Sequence, residues 1–409
     1  NSSSHDVVVV GARVAGASVA LHLARAGFDV LVLERTDALG PTFSSHQMNI
    51  VGSECLDAWG LYDDLLSSDC PGMSEMMYDL GEMSVVAKVP AVGDLAQLHY
   101  CKREVLDNIL IGQAIRAGAR VQFGVSFRAL TEMDERGVTV EVERPGATPH
   151  KIHTRFLIGA DGRRSNVARA LGAQQYNVMD ERALTCFGYF RGHVTDRLEV
   201  YMANTGSVAL FPTNDSETCA VLVQRPSPEL YQGMSKAALL NTAIAARPAL
   251  KEKLDGCVGN PRVYRFAGAP GYFRQPYAGR CALVGDAGYY RDPIVGDGIA
   301  DAMVSAELLA GQVTKVLRGA PTGPALETYK AVRDAHFYPE YERTRKFLRF
   351  EYDLEALTRR VRGSASGPMI LRRVVDTALA ANRRTRRDML RLLDEAETAA
   401  TDPKPRGTT

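Results

Sequence analysis

The chain has 409 residues, 45% hydrophobic and 24% charged, with a formal net charge of +1. That is long enough for two closely packed domains or one large composite with an ample core, and the near-neutral balance argues against global steering toward nucleic acid or acidic surfaces. No stretch approaches a membrane span and no apolar signal region precedes the first apolar run, while seven cysteines without C-x-x-C spacing read as buried thiols of a cytoplasmic protein rather than a disulfide frame or zinc site.

Asn1 to His5 read as a processed start or a remnant of cloning. The segment Asp6 to Arg35, DVVVVGARVAGASVALHLARAGFDVLVLER, then predicts a strand, a glycine turn, a helix and a second strand. A unit of this length binds a dinucleotide. Gly11 permits the tight turn, Gly16 lets helix and strand approach, and the free N–H groups of the helix start favour a pyrophosphate. Glu34 can accept hydrogen bonds from a ribose. The pattern departs from G-x-G-x-x-G at its middle glycine, where Arg13 stands; its side chain must turn away from the phosphates or reach round to pair with one. The alternative is a doubly wound unit that binds nothing.

The loop after Arg35 leads to a predicted helix at 53–61, and Ser44, Ser45, His46 and Gln47 are candidates to face a bound cofactor. For His46 a surface or capping role stands beside that reading. Residues 75–100 suggest strands leaving the nucleotide core. A helix is expected from Arg103, ended by Gly118, then a strand from Arg120, and a hairpin of 138–143 with 151–156. In LIGADGRRSNVAR, Asp161 ends a strand, where it can bind a ribose hydroxyl or serve only as turn and cap, and Ser165 can cap the next helix.

From 184 to 224 the pattern becomes strands separated by polar turns such as Pro212 to Asp215, an inserted antiparallel sheet that would roof a substrate cavity. Helices follow near 236–246 and 249–254. The segment RCALVGDAGYYRDPIVGDGIADAMVSAELLAGQV gives a buried strand, Asp286 at its end, a polar loop over 287–297, and a helix from Gly298. Asp286 is placed for ribityl or ribose oxygens and the helix start for an electron-rich ring carbonyl. Residues 325–397 are helical in pattern and rich in arginine, read as solvated faces rather than a basic partner surface, with a break at 363–368 and a disordered tail.

Three motifs in this order, GARVAG with Glu34-Arg35, ADGRRS, and GDAGYYRDPIVGDG, resemble the single-component FAD-dependent monooxygenases of the para-hydroxybenzoate hydroxylase-like group. The GARVAGAS opening, SSH, FPTND and GDAG-x-x-x-DP segments are similar to a bacterial FAD-dependent oxidoreductase or geranylgeranyl-reductase-like subset. The resemblance implies an α/β fold: a Rossmann-like FAD-binding domain in three parts (1–74, 101–175, 276–325), substrate-domain segments at 75–100 and 176–275, C-terminal helices over 326–397, and a tail at 398–409. It places Gly11, Arg13, Ala15 and Gly16 at the pyrophosphate, Glu34 and Arg35 at the adenosine end, and Arg103, Asp161 and Asp286 along FAD. Pro293, Gly298 and Ile299 would lie beside the isoalloxazine.

The resemblance further implies that NADPH or NADH reduces FAD, and that O2 then gives a flavin hydroperoxide that hydroxylates an aromatic or polyketide-like small molecule. The flavin carries such chemistry, in keeping with a sequence that shows no Ser-His-Asp or metal-ligand constellation. His46, Tyr289, Tyr290 and Arg191 are candidates to orient or deprotonate a phenol or enol, each with a packing alternative. Gln47, Phe211, Pro212 and Asn214 would line the substrate cavity. Two rival readings are reduction of isoprenoid double bonds and a non-catalytic flavin-binding protein. Halogenation is disfavoured, because the W-x-W-x-I-P signature needs two tryptophans and Trp59 stands alone. No nucleic acid or membrane span enters any of these readings.

Overall fold

The computed structural model describes residues 3–42, 44, 46–192, 195–227, 233–351, 353–362 and 384–401. Its framework is the parallel sheet that the opening segment predicts. Ser3–Val10 pairs in parallel with Val30–Glu34 on one side and with His150–Gly159 on the other. Arg120–Phe123 and Cys281–Leu283 extend the parallel array outward. Val7, Val8 and Val9 are fully buried, which is why this strand is a continuous apolar run; each such side chain contributes about 1.5–3 kcal/mol relative to exposure. The strand is described from Ser3, with His5 buried against Asp29, so Ser3 to His5 of the segment read as a processed start belong to the sheet.

The helix Val14–Arg25 packs against Arg103–Arg116 and Gly298–Leu317. Gly118, at φ +109°, ends the second of these as expected. The helix expected at 53–61 runs instead from Ile50 to Ala58, because Asn49 accepts the Val51 and Gly52 N–H groups and so starts it early.

A seven-stranded sheet forms the second layer, in the order Val258–Phe266, Leu184–Arg191, Glu217–Gln224, Gly206–Thr213, Leu198–Ala203, Glu75–Asp79 and Ser84–Lys88. It is antiparallel but for one pairing, Leu198–Ala203 with Glu75–Asp79, where segments from two insertions meet in parallel. The turn expected at 212–215 falls at 214–216, with Asp215 and Ser216 both left-handed. Pro212 belongs to the strand: it pairs with Thr218 beyond the last residue matched to the other neighbour, so its missing N–H costs no ladder bond. One face of the sheet packs on the helices Lys236–Ala245 and Pro248–Leu254 through Leu184, Cys186, Leu210, Ala220 and Leu222. The other face is aromatic and turns toward the nucleotide domain.

The segment read as a polar loop over 287–297 is more ordered than its composition suggests. Tyr289–Tyr290 adds a strand to Gly271–Arg274, and Pro293–Val295 makes a 3-10 turn. The long helix Thr322–Leu348 lies behind it, and Arg386–Thr401 docks on that helix through the buried Met389. The last helix reaches Thr401, so it covers the first residues of the segment expected as a tail at 398–409; the expected break at 363–368 and residues 402–409 lie outside the described residues.

Candidate functional site

The two carboxyl-end turns of the parallel sheet meet at the opening glycines. A Cβ on Gly11, at φ +105°, would stand 2.5 Å from the Ala160 carbonyl oxygen, and one on Gly16 would stand 1.8 Å from that of Gly11. Glycine is therefore required at both positions by backbone approach. Glu34 Oε2 accepts the Ala12 N–H at 3.0 Å and Oε1 accepts from Thr36, so this carboxylate tethers the turn; Arg35 is exposed. Asp161 accepts from the Ser165 hydroxyl and the Asn166 and Val167 N–H groups, which is the turn-and-cap role.

Two helix starts lie side by side, since a Cβ on Gly285 would meet both Ala15 and Ala302. Neither has a side-chain cap. At the first, Arg13 gives no cap bond and turns instead to Asp107 and the Gly40 carbonyl. At the second, the carboxylate of Asp297 is drawn off by Asn49 and by the guanidinium groups of Arg291 and Arg343. Open N–H groups on a 12-residue and a 20-residue helix attract anionic and electron-rich groups.

Between them Asp286 and Gly298 are exposed while Gly285, Ala287, Ile299 and Ala300 around them are buried. A Cβ on Gly298 would meet nothing within 4 Å. Asp286 is solvent-accessible yet deeply enclosed by protein, as a side chain lining a narrow cleft must be. Enclosure pushes its carboxyl up to about 6, opposed by Arg163 and Arg103. Tyr272, absent from the sequence reading, braces two of the motifs by donating its hydroxyl toward the Asp286 and Arg163 carbonyls at 2.7 and 3.3 Å. These features fit FAD: two uncapped helix starts for its diphosphate and ring carbonyl, and an acceptor between them for hydroxyl groups.

The far wall holds His46, buried and left-handed at φ +60°, a strained conformation for a residue with a Cβ. Ser44 accepts its N–H, and its Nε2 makes a short contact with the Tyr189 hydroxyl, the rings stacking at 5.7 Å. Its Nδ1 has no hydrogen-bond partner. Burial, then the charges of Arg103 and Lys102, hold its pKa down at about 3, so the ring is neutral. Lys102 Nζ sits 5.7 Å from the centre of the Tyr189 ring, bridged to Asp215 and Glu217 at 2.5 and 2.8 Å. Burial opposes that ammonium, but the two carboxylates prevail and raise its pKa. Gln47 lies against Gly296 of the opposite loop; Ser45 lies outside the described residues.

Above the cleft the aromatic sheet face carries Tyr100 stacked on Phe211 at 3.8 Å and Phe187 stacked on Tyr264 at 4.9 Å. Arg191 shares this face by strand alternation with Phe187 and Tyr189 and is exposed at the strand's end. Asn214 is structural: it accepts the Lys102 N–H and donates to the Ser68 carbonyl. Tyr189, Lys102 and Asp107 were missed in the sequence because each lies in an ordinary strand or helix pattern with no motif around it.

Tyr289 and Tyr290 do not join His46. Tyr289 stacks on Phe337 at 4.8 Å within a core cluster that includes Phe273 and Tyr341, and its hydroxyl has no hydrogen-bond partner. Tyr290 lies under Arg163, 5.0 Å from the ring centre, beside Tyr272. Pro293 is half-buried and Ile299 buried at the cleft's edge. Behind this wall Arg291 is buried between Asp301, bonded at 2.8 and 2.9 Å, and Asp297 at 3.1 Å.

The family model described as FAD binding domain matches residues 4–338. Kynurenine 3-monooxygenase of Salinispora arenicola is 28% identical over 362 residues, covering 82% of this chain and 78% of its own length. Digeranylgeranylglycerophospholipid reductase of Methanocella arvoryzae is 26% identical over 346 residues, covering 81% and 84%. Among solved structures, a flavin-dependent brominase superposes with a TM-score of 0.75 at 15% identity, covering 98% of this chain and 100% of that one, a likeness of fold. No described helix is long and apolar enough to cross a membrane. The glycine turn, the two open helix starts and Asp286 fit the cofactor of an FAD-dependent oxidoreductase, and the chain belongs to the FAD-binding-domain family of para-hydroxybenzoate hydroxylase-like flavoprotein monooxygenases.

Proposed function

We propose that this enzyme is an NAD(P)H-dependent monooxygenase that hydroxylates an aromatic or polyketide-like small molecule held between the aromatic sheet face and the cofactor cleft. The observation that supports this reading is the buried His46–Tyr189 pair beside the stacked aromatics of the sheet face. FAD, once reduced, supplies the activation of oxygen. The chain's own residues bind, orient and shield. Tyr189 and Tyr264, half-buried and backed by the buried rings of Phe187, Phe211 and Tyr100, favour a flat, electron-rich substrate. His46, neutral with Nδ1 unpartnered, is held too weakly basic to take a proton and can instead orient a phenol or enol hydroxyl by accepting its hydrogen bond, while Nε2 stays on the Tyr189 hydroxyl. Lys102, whose charge Asp215 and Glu217 offset, steadies the Tyr189 ring through a cation–π contact.

The reductase reading has its own support in the relative from Methanocella arvoryzae and in Met76 on the same sheet face with Met73 packed in the same cluster, adaptable side chains suited to a flexible apolar chain. A screen of phenols, quinones and prenyl chains for stimulated NADPH oxidation, followed by product mass, separates the two. A gain of one oxygen supports hydroxylation, and a gain of two hydrogens supports the reductase.

A further inference from the structure

The middle position of the glycine motif is the chain's departure from the usual pattern, and its side chain finds a specific partner. Arg13 Nη1 donates to Asp107 Oδ2 at 2.7 Å. The same carboxylate takes Arg103, from Nε to Oδ1 at 3.0 Å and from Nη2 to Oδ2 at 3.3 Å. Asp107 is fully buried, whereas the side chains of Arg13 and Arg103 keep 29% and 14% of their surface. Two guanidinium groups thus share one carboxylate, leaving one positive charge uncompensated beside an uncapped helix start. Arg103 still has Nη1 free of Asp107, and its charge reaches both Asp286 and His46, on opposite sides of the cleft.

We propose that Asp107 is a positioning residue for the cofactor diphosphate: it locks Arg103 toward the cleft, and Arg13 neutralises Asp107 so that a full guanidinium charge remains for the phosphates. The geometry requires both arginines. A buried carboxylate with Arg103 alone would form a closed, neutral pair with little attraction for an anion. With glycine at position 13 the backbone approach to the diphosphate would be freer, but the charge would be lost; here charge stands in for part of what the missing glycine supplies. This inference rests on FAD binding and not on which substrate is oxidised, so its test is independent of turnover.

The test titrates FAD into apoprotein and follows quenching of FAD fluorescence at low and high salt, with thermal unfolding of each apoprotein as the check on folding. Arg13→Gly, or Arg13→Met where side-chain length is to be kept, should raise the Kd for FAD about tenfold or more and flatten its salt dependence. Adding Asp107→Asn to either variant removes the charge that cancels Arg103 while the amide oxygen keeps one of the hydrogen bonds that orient it, and should bring the Kd back to within about threefold of the parent. Arg13→Lys should stay near the parent. Unchanged affinity on loss of the Arg13 charge would overturn the proposal. So would a folded double variant that binds no better than the single, since a merely structural Arg13 gives no such rescue.

Discussion

The two walls that face each other across the cleft are held by different forces. The wall from 286 to 301 is fixed from behind by a buried ionic network, in which Arg291 joins Asp297, Asp301 and Glu340 and ties the segment to the long helix Thr322–Leu348. The opposite wall, around His46, is held by single contacts: Ser44 to its N–H, Tyr189 to its ring, Gln47 against Gly296, and Asn49 to Asp297 at 2.5 Å. A wall fixed in this way suits a cofactor of constant shape. The wall held by few contacts can change its side chains without disturbing the fold, which is what a family with varied substrates needs.

The contrast is broken most forcefully at Arg291. Arg291→Ala leaves Asp301 and Asp297 buried beside a lost partner, and should destabilise the protein by about 3–5 kcal/mol, read as a lower denaturant midpoint. A shift no larger than that of a surface substitution would mean the wall is fixed by packing alone. Next in size, Asp286→Ala should leave the fold intact but cost FAD affinity on the order of 1.5–3 kcal/mol, seen as flavin lost on gel filtration. A fully yellow variant would contradict it.

At the loosely held wall, His46→Ala and Tyr189→Phe should each reduce substrate-stimulated NADPH oxidation by about tenfold to a hundredfold while FAD content stays near that of the parent. Parallel loss of both would make the pair part of the cofactor cradle. The smallest effect is expected at Tyr289→Phe. Its hydroxyl is buried without a partner, so removing it should change stability by less than about 1 kcal/mol and leave turnover unaltered, in contrast to the role its sequence position suggested.

Asp286 also gives the cleft a pH dependence. Its folded pKa, about 6, lies above the ordinary 3.8 because enclosure disfavours the charged form. The folded state therefore binds more protons than the unfolded between those values, and this group makes the apoprotein less stable as pH rises from about 4 to 6. As a carboxylate it is the better acceptor for cofactor hydroxyls, so FAD retention should weaken as pH falls through about 6. Asp286→Asn should remove that dependence; an unchanged pH profile in the variant would assign it to another group.

Much of the cofactor cleft was legible in the sequence because backbone geometry dictates it. Gly11 and Gly16 can be nothing larger, strands end where apolar runs end, and Asp286 stands at such an end. The aromatic face was only partly legible. Alternation along Leu184–Arg191 shows that Phe187, Tyr189 and Arg191 share a face, but only the sheet order decides that this face looks into the cleft rather than onto the helices. Tyr289 misled for the converse reason: a glycine-rich, polar neighbourhood suggested a loop, whereas the residue is a strand position packed on Phe337 and Phe273. Asp107 was not legible, because Arg13 could equally have turned to solvent or to a phosphate and nothing local points to a carboxylate 94 residues away.

The most direct test of the account is oxygen uptake measured together with product mass during NADPH oxidation by the FAD-loaded enzyme, using phenolic and polyketide-like substrates. The account predicts uptake that rises with substrate and a product heavier by one oxygen atom. Consumption of NADPH with a product heavier by two hydrogens and no oxygen uptake would contradict it.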